Sequence, residues 1–342
     1  MPPQGLRIAV DAMGGDRAPD VVVQGAVAAA CEAPLRLLLV GPHAVVEAEV
    51  ARYPEAAGLA IEVVDAPDVV AMDEPLSAIA RRQRRTSVRV AADLVGRGLA
   101  DAVFTAGHSG AAILAAHGSL GRLPGADRPA LAATIPTMGG AAVLLDAGAT
   151  VECRPVHLLQ FAHLGAAYAR VALGATRPRV ALLSNGEEAG KGNELTREAY
   201  RLLEASSLAF VGAVEATDLF LGDADVVVCD GFTGNIALKT SEGLVEAIEH
   251  LLADEVARTV TAQVGALLTR GAFRRFRARL DYAEYGGAPL LGVEGLCVIG
   301  HGRSSARAIE RGIALTARFV REQLIERLRQ GLDAMPRAML HS

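Results

Sequence analysis

Short, continuous runs of β-branched and leucine side chains recur along this chain, most of them closed by Gly, Asp, Asn or Ser and followed by helical periodicity. They fall at residues 6–10, 35–40, 60–64, 102–105, 141–145, 179–183, 208–212, 225–229 and 296–299. A strand that alternates apolar and polar residues is covered on one face, whereas a continuously apolar strand is buried on both. Doubly buried strands alternating with helices specify an α/β protein with a largely parallel sheet. In such sheets ligands bind outside the carboxyl ends of the strands, so the strand-to-helix turns are where function is sought.

Composition narrows the classes further. With 342 residues, 51% hydrophobic and 21% charged, the chain is neither disordered, nor collagen-like, nor a disulfide-stapled miniprotein. A formal charge of -5, 4% aromatic residues and no Trp argue against nucleic acid as a partner. Cys31, Cys153, Cys229 and Cys297 lie far apart with no CxxC pair, which fits a reducing cytoplasm and no zinc site. The first apolar run is too short for a signal peptide. Residues 102–121 lack Asp, Glu, Lys and Arg and are long enough to span a bilayer. They also hold His108, His117, Ser109, Ser119 and four glycines, so they read as a buried strand, turn and helix of a soluble protein.

Two segments break the rhythm. Residues 242–270 carry Leu244, Ile248, Leu252, Val256, Val260, Val264 and Leu267 at steps of three and four, the pattern of one long helix. Beyond Gly271, Phe273, Phe276 and Leu280 share one side of a basic amphipathic stretch, giving a helical excursion over about 242–282. A last helix is expected over 305–329, and residues 331–342 are expected to fray. With no repeat or linker in sight, residues 1–330 read as a single α/β catalytic unit.

Five turns concentrate polar and small residues. The first strand ends at Asp11, with Gly14 and Gly15 letting the backbone approach a ligand or simply make a tight turn. Gly107-His108-Ser109-Gly110 opens a helix whose first N–H groups could hold an anion, or whose glycines merely allow close approach to the strand. Glu187, Lys191 and Asn193 share a glycine-rich loop, where Lys191 could meet phosphate or a developing oxyanion, or be a solvated lysine. Asp230-Gly231-Phe232-Thr233-Gly234-Asn235 contains a plausible N-cap, yet capping does not require an amide at Asn235. His301, Arg303 and Ser304 stand before the last helix, where a serine cap explains neither His301 nor Arg303. No Walker loop, dinucleotide fingerprint, H-E-x-x-H or G-x-S-x-G occurs, so neither a metal nor a cofactor is called for.

In these same turns the chain resembles the PlsX phosphate acyltransferases of bacterial phospholipid synthesis. The resemblance runs from Arg7 to the C-terminal helix and includes Asp73-Glu74-Pro75, Asp127-Arg128-Pro129-Ala130 and His157-Leu158-Leu159-Gln160-Phe161-Ala162. Further blocks are Gly186-Glu187-Glu188, Lys191-Gly192-Asn193-Glu194, Asp230 to Asn235, and Tyr285-Gly286-Gly287-Ala288-Pro289-Leu290-Leu291-Gly292. It implies a three-layer α/β/α fold like that of isocitrate and isopropylmalate dehydrogenases and phosphotransacetylases, and a homodimer. It also implies that acyl-[acyl carrier protein] and inorganic phosphate become acyl phosphate and free carrier protein. The acyl phosphate would pass to a membrane glycerol-3-phosphate acyltransferase, at the inner face of the cell membrane. The family pattern suggests Lys191 and Asn235 as the catalytic pair, with the glycine turns and their polar neighbours binding substrate. The chain departs from the pattern at His108 and Thr150, where Asn is usual, and at Ser184-Asn185.

Two further partner surfaces are expected. The basic run Arg81-Arg82-Gln83-Arg84-Arg85 is either a solvated helix face or a dock for the acidic carrier protein. Phe273, Phe276 and Leu280 either meet anionic lipid or form a dimer contact. The rival functions are a decarboxylating dehydrogenase of the same fold and a non-catalytic scaffold that binds carrier protein at the membrane.

Overall fold

The structure is a computed structural model that describes residues 5–81, 85–188, 190–280 and 286–335. Its first part runs β1 (Leu6–Asp11), α1 (Asp20–Glu32), β2 (Leu35–Gly41), α2 (His43–Val50), β3 (Ile61–Asp65), α3 (Leu76–Arg81), α4 (Ser87–Gly96), β4 (Ala102–Thr105) and α5 (Ser109–Leu120). The middle part runs β5 (Ala130–Leu131), β6 (Ala133–Thr137), β7 (Gly140–Leu145), α6 (Pro155–Ala172), β8 (Arg179–Leu183), α7 (Glu194–Glu204), β9 (Ala209–Val214) and β10 (Val226–Val228). Then come α8 (Gly231–Ala257), α9 (Val260–Leu280), β11 (Ala288–Leu291), β12 (Leu296–Ile299), α10 (Ala306–Arg321) and α11 (Leu324–Asp333).

All nine strands expected from the apolar runs are present. The expected sheet, however, is two sheets: seven strands in the order β3-β2-β1-β4-β12-β11-β5, and five in the order β6-β7-β10-β8-β9. The three strands not foreseen, β5, β6 and β11, are the ones that pair antiparallel at or near the sheet edges. Ala132, whose N–H donates to Pro289 O at 3.0 Å, is the single residue between β5 and β6, so the chain passes directly from one sheet to the other.

Burial of both strand faces follows from the layers. Ile8 and Val10 of β1 enter a hydrophobic cluster that continues through Val143, Val180 and Val226 of the second sheet and through Leu158 and Phe161 of α6. Ala9, between them, faces a separate cluster with Ala91, Ala112 and Ala116 of α4 and α5. α6 is buried from Val156 to Ala169, the central helix of the molecule. Each sheet is pinned by the same clamp. Arg7 at the start of β1 donates through its backbone N–H and guanidinium to Asp101, and to Gly98 O. Arg179 at the start of β8 does the same to Asp225 and Gly222 O.

The helices differ from the periodicity reading in three places. The helix expected from 242 begins at Gly231, because Asp230 caps it by accepting from Thr233 N–H at 2.8 Å. It ends at Ala257, and α9 starts afresh after Thr259, whose hydroxyl accepts from Ala262 N–H at 3.2 Å. Gly271 lies inside α9 and interrupts nothing, while Leu280 ends the described part and its side chain is outside the described residues. The helix expected over 305–329 is split at Gln323, which takes a left-handed φ of 53° and turns α11 so that Leu324, Leu328 and Leu332 pack on α6.

Candidate active site

Two buried carboxylates shape the turns. Asp11 accepts from Thr105 Oγ1 at 2.7 Å and from Met13 N–H at 3.2 Å, and Thr105 Oγ1 accepts in turn from Gly107 N–H at 3.0 Å. A Cβ on Gly14 would lie 2.7 Å from both Asp11 Oδ2 and Gly107 N, so only glycine lets these two turns touch. Burial pushes the Asp11 carboxyl up, opposed by its bonds to Ser87, Thr105 and Met13. Asp11 thus supports the turns from beneath. Gly15, with a φ of 116°, brings its loop against Gly302, whose carbonyl accepts from Asp16 N–H at 2.9 Å.

Asp146, which sequence reasoning did not single out, does the same for the second sheet. Its oxygens accept from the N–H groups of Leu131, Gly148 and Ala149 at 2.8–2.9 Å and of Thr150 at 2.6 Å. A Cβ on Gly231 would meet Asp146 Oδ2 at 2.7 Å, and one on Gly234 would collide with the Asp146 carbonyl oxygen. The start of α8 is therefore seated directly on the Asp146 turn. An Asp-Ala-Gly sequence immediately after an apolar strand was the available signal.

Between the two sheets, at the carboxyl ends of β4 and β12, lies a cleft of about 580 Å³. Gly107 and Ser109 line it from the first sheet, with His301 and Arg303 from the loop after β12. Asn235, Lys239 and Glu242 line it from α8, on one helix face by their spacing of four and three. Asn235 sits beside Gly148, and among the described residues its amide has no hydrogen-bond partner. Arg303 pairs with Glu246, and its N–H donates to His301 Nδ1 at 3.2 Å. Burial and then Arg303 push the His301 ring down toward its neutral form. Burial pushes the Glu242 carboxyl up, against the pull of Lys239 and Arg303. Lys239 was missed in the sequence, although a helix capped at Asp230 places it one turn beyond Asn235.

A second cleft, of about 790 Å³, lies on the other side of α8. It is lined by Thr233, Ile236 and Ala237 of that helix and its cap Asp230, by Gly192 and Asn193, and by Ser184, whose buried hydroxyl has no hydrogen-bond partner among the described residues. The first turns of α8 separate the two clefts. Lys191 is exposed, its stem over Gly186, on the loop that enters the second cleft at Gly192; it is not among the residues lining the first. Glu187 is exposed on the same loop.

Several candidate residues have structural duties. His108 caps α5 by accepting from Ala111 N–H at 3.3 Å, which is what an Asn there would also do. Thr150 donates its hydroxyl to Pro129 O at 2.8 Å. Asn193 caps α7 through Thr196 N–H at 2.9 Å. Ser305, not Ser304, caps α10, and Ser304 accepts from Arg17 through its carbonyl instead of lining the cleft. Of the run at 81–85, residues 82–84 lie outside the described residues, while Arg85 donates to Asp68 and to Asp65 O.

The first cleft brings together Lys239, Arg303 in its ion pair with Glu246, the Asn235 amide and the start of α5, with the carboxylates of Asp16 and Glu242 beside them. Such a set can hold a tetrahedral anion and neutralise charge that develops beside it.

A family model described as fatty acid synthesis protein matches residues 6–327. Among curated relatives, the phosphate acyltransferase of Thermodesulfovibrio yellowstonii is 47% identical over 328 residues, 96% of this chain and 94% of its own. That of Syntrophotalea carbinolica is 50% identical over 321 residues, 94% of this chain and 92% of its own. Among solved structures, a phosphotransacetylase from Streptococcus pyogenes superposes with a TM-score of 0.62 at 17% identity, covering 94% of this chain and 95% of its own. A putative 4-hydroxythreonine-4-phosphate dehydrogenase from Salmonella typhimurium follows with 0.51, also at 17% identity, covering 92% and 99%. The structural likenesses establish the α/β/α fold and no more.

Proposed function

The chain belongs to the fatty acid synthesis protein family, and from that premise we propose that it is a phosphate acyltransferase that makes acyl phosphate from acyl-[acyl carrier protein] and inorganic phosphate. Near-full-length identity to phosphate acyltransferases supports the reaction class. The observation that carries the site is the cleft in which Asn235, Lys239 and Arg303 converge.

In the proposed step a phosphate oxygen attacks the thioester carbonyl carbon, a tetrahedral oxyanion forms, and the carrier thiolate leaves. Phosphate is already an anion and a thiolate is a good leaving group, so no strong base is needed. Orientation and charge stabilisation then make up catalysis, and well-oriented reactants alone can contribute about 7–11 kcal/mol. The guanidinium of Arg303 and the ammonium of Lys239 hold phosphate, and the Asn235 amide donates to the oxyanion. Lys191, exposed on its glycine-flanked loop beside the second cleft, adds a further cation for the incoming substrate. The glycine turns at Gly14-Gly15, Gly107-Gly110 and Gly231-Gly234 let substrate come close to the backbone.

The finer setting belongs to the same proposal. The product is handed to a membrane glycerol-3-phosphate acyltransferase in phospholipid synthesis, and the enzyme works as a cytoplasmic homodimer, residues 1–330 acting as one catalytic unit. No described helix is long and apolar enough to cross a membrane. Leu268 is 82% exposed, Phe273 41% and Phe276 52%, which supports a peripheral contact of α9 with anionic lipid. Purified protein mixed with acyl-[acyl carrier protein] and phosphate, then quenched with hydroxylamine, should yield acyl hydroxamate well above the background that the thioester itself gives without phosphate or without protein. Absence of phosphate-dependent hydroxamate sinks the reading, and leaves the carrier-protein scaffold in its place.

A further inference from the structure

A third hollow, of about 270 Å³, lies at the opposite ends of the strands, where Pro178 precedes β8 and Ala209 begins β9. Its walls carry Arg170 of α6, Arg177, and Arg327 of α11, together with Ser207 and Gln330, and among the described residues no Asp or Glu. Among the described residues neither Arg170 nor Arg177 has an ion-pair or hydrogen-bond partner, whereas most arginines of the two sheets are clamped. Like charges gathered in one small hollow repel one another, and an anion between them relieves that repulsion.

A second observation comes from His163, which also lines this hollow and is 3% exposed. Its Nδ1 lies 3.1 Å from Gly331 O, an acceptor, so Nδ1 carries the proton. Burial pushes the ring toward its neutral form, with Arg170 adding to that effect and the Gly331 bond opposing it. Nε2 of the neutral ring is then an acceptor, buried and without a partner among the described residues. Leaving such an acceptor unpaired is costly, so a group that binds there is favoured if it brings a proton to it.

The two observations ask for one chemistry, negative charge for the arginines and an O–H for His163. We propose that this hollow binds a small phosphate that keeps a proton or hydroxyl of its own, inorganic phosphate or a short phosphomonoester. The site is separate from both clefts beside α8 and does not depend on the reaction proposed above. Sulfate matches phosphate in size and charge but has no proton to donate at neutral pH, so it satisfies the arginines and not His163.

The test follows the Cε1–H signals of His163 and His301 by NMR in the full chain with ring-labelled histidine, His163 being assigned through H163Q. Inorganic phosphate, glycerol 2-phosphate and sulfate are titrated separately. The His163 signal should shift saturably with one or both phosphates, and the tighter of the two identifies the ligand's source. Sulfate should bind about tenfold more weakly or worse, the factor that a lost hydrogen bond to a buried acceptor brings. In R170Q/R177Q, with both changes at exposed positions, phosphate affinity read at His163 should fall about tenfold or more while the His301 response is unchanged. A His163 signal that neither phosphate moves overturns the proposal. So does one that sulfate moves with equal affinity, or one that responds as before in the arginine variant.

Discussion

Single residues here act mostly by what they hold in place. Asp146 gathers four N–H groups and seats the first turn of α8, and through it Asn235. D146N keeps the shape but turns an amide N–H toward donors. It should lower stability by about 1–3 kcal/mol, seen as a lower urea midpoint with unchanged slope. N235A and K239A leave that frame alone and remove groups that face the cleft. Each should reduce turnover by about a hundred- to a thousandfold in the hydroxamate assay, with the urea midpoint unmoved. K191A should also reduce turnover by orders of magnitude; near-normal acyl-phosphate formation would take Lys191 out of the mechanism. His108 shows how a departure from a family pattern can be neutral, since its ring nitrogen fills the same capping position as an amide oxygen.

At the scale of elements, the clamps Arg7–Asp101 and Arg179–Asp225 fix the register at the start of each parallel core. Burial pushes both carboxyls up, but the side-chain and backbone bonds from their arginines outweigh it and hold them below the ordinary 3.8. A carboxyl with a lower pKa folded than unfolded adds stability above the unfolded value and loses it as pH falls through the folded one. Asp11 and Asp146 are raised, so they shift the opposite way and soften the loss. R7Q/R179Q should be less stable at neutral pH than the unaltered chain. Its urea midpoint should fall less steeply below pH 4, and parallel curves would deny the clamps this role. Helix ends follow equally local rules: Asp230, Asn193 and Ser305 each cap the helix that they precede.

For the whole molecule the question is what covers the exposed apolar side of α8 and α9. Leu244, Leu251, Val260, Leu267 and Leu268 stand out from the two sheets with no described residue burying them. F273D/F276D should lose flotation with anionic vesicles while keeping hydroxamate formation with soluble acyl-[acyl carrier protein]. Unchanged flotation would assign these phenylalanines to a subunit contact instead. The other large-scale feature is the split into two sheets joined through Ala132, which sets the first cleft between them.

The amino-acid sequence alone determined nine strands, of which all but the edge strands β3 and β9 are buried, the turns at their carboxyl ends and the family, because apolar runs and turn residues are local signals. It also marked Asn235, an amide that capping could not explain. It did not reveal β5, β6 and β11: β5 pairs with the distant β11, while β6 and β11, each antiparallel to the strand that follows it, carry Pro136 and Pro289, which read as turn residues. The helix start capped by Asp230 was legible, but not that α8 runs unbroken from there to Ala257 and stands between two clefts, bringing Lys239 to one side and leaving the Lys191 loop on the other. Which face of a helix meets which cleft depends on contacts between remote segments, such as Gly231 and Gly234 against the Asp146 turn, and those exist only once the chain has folded.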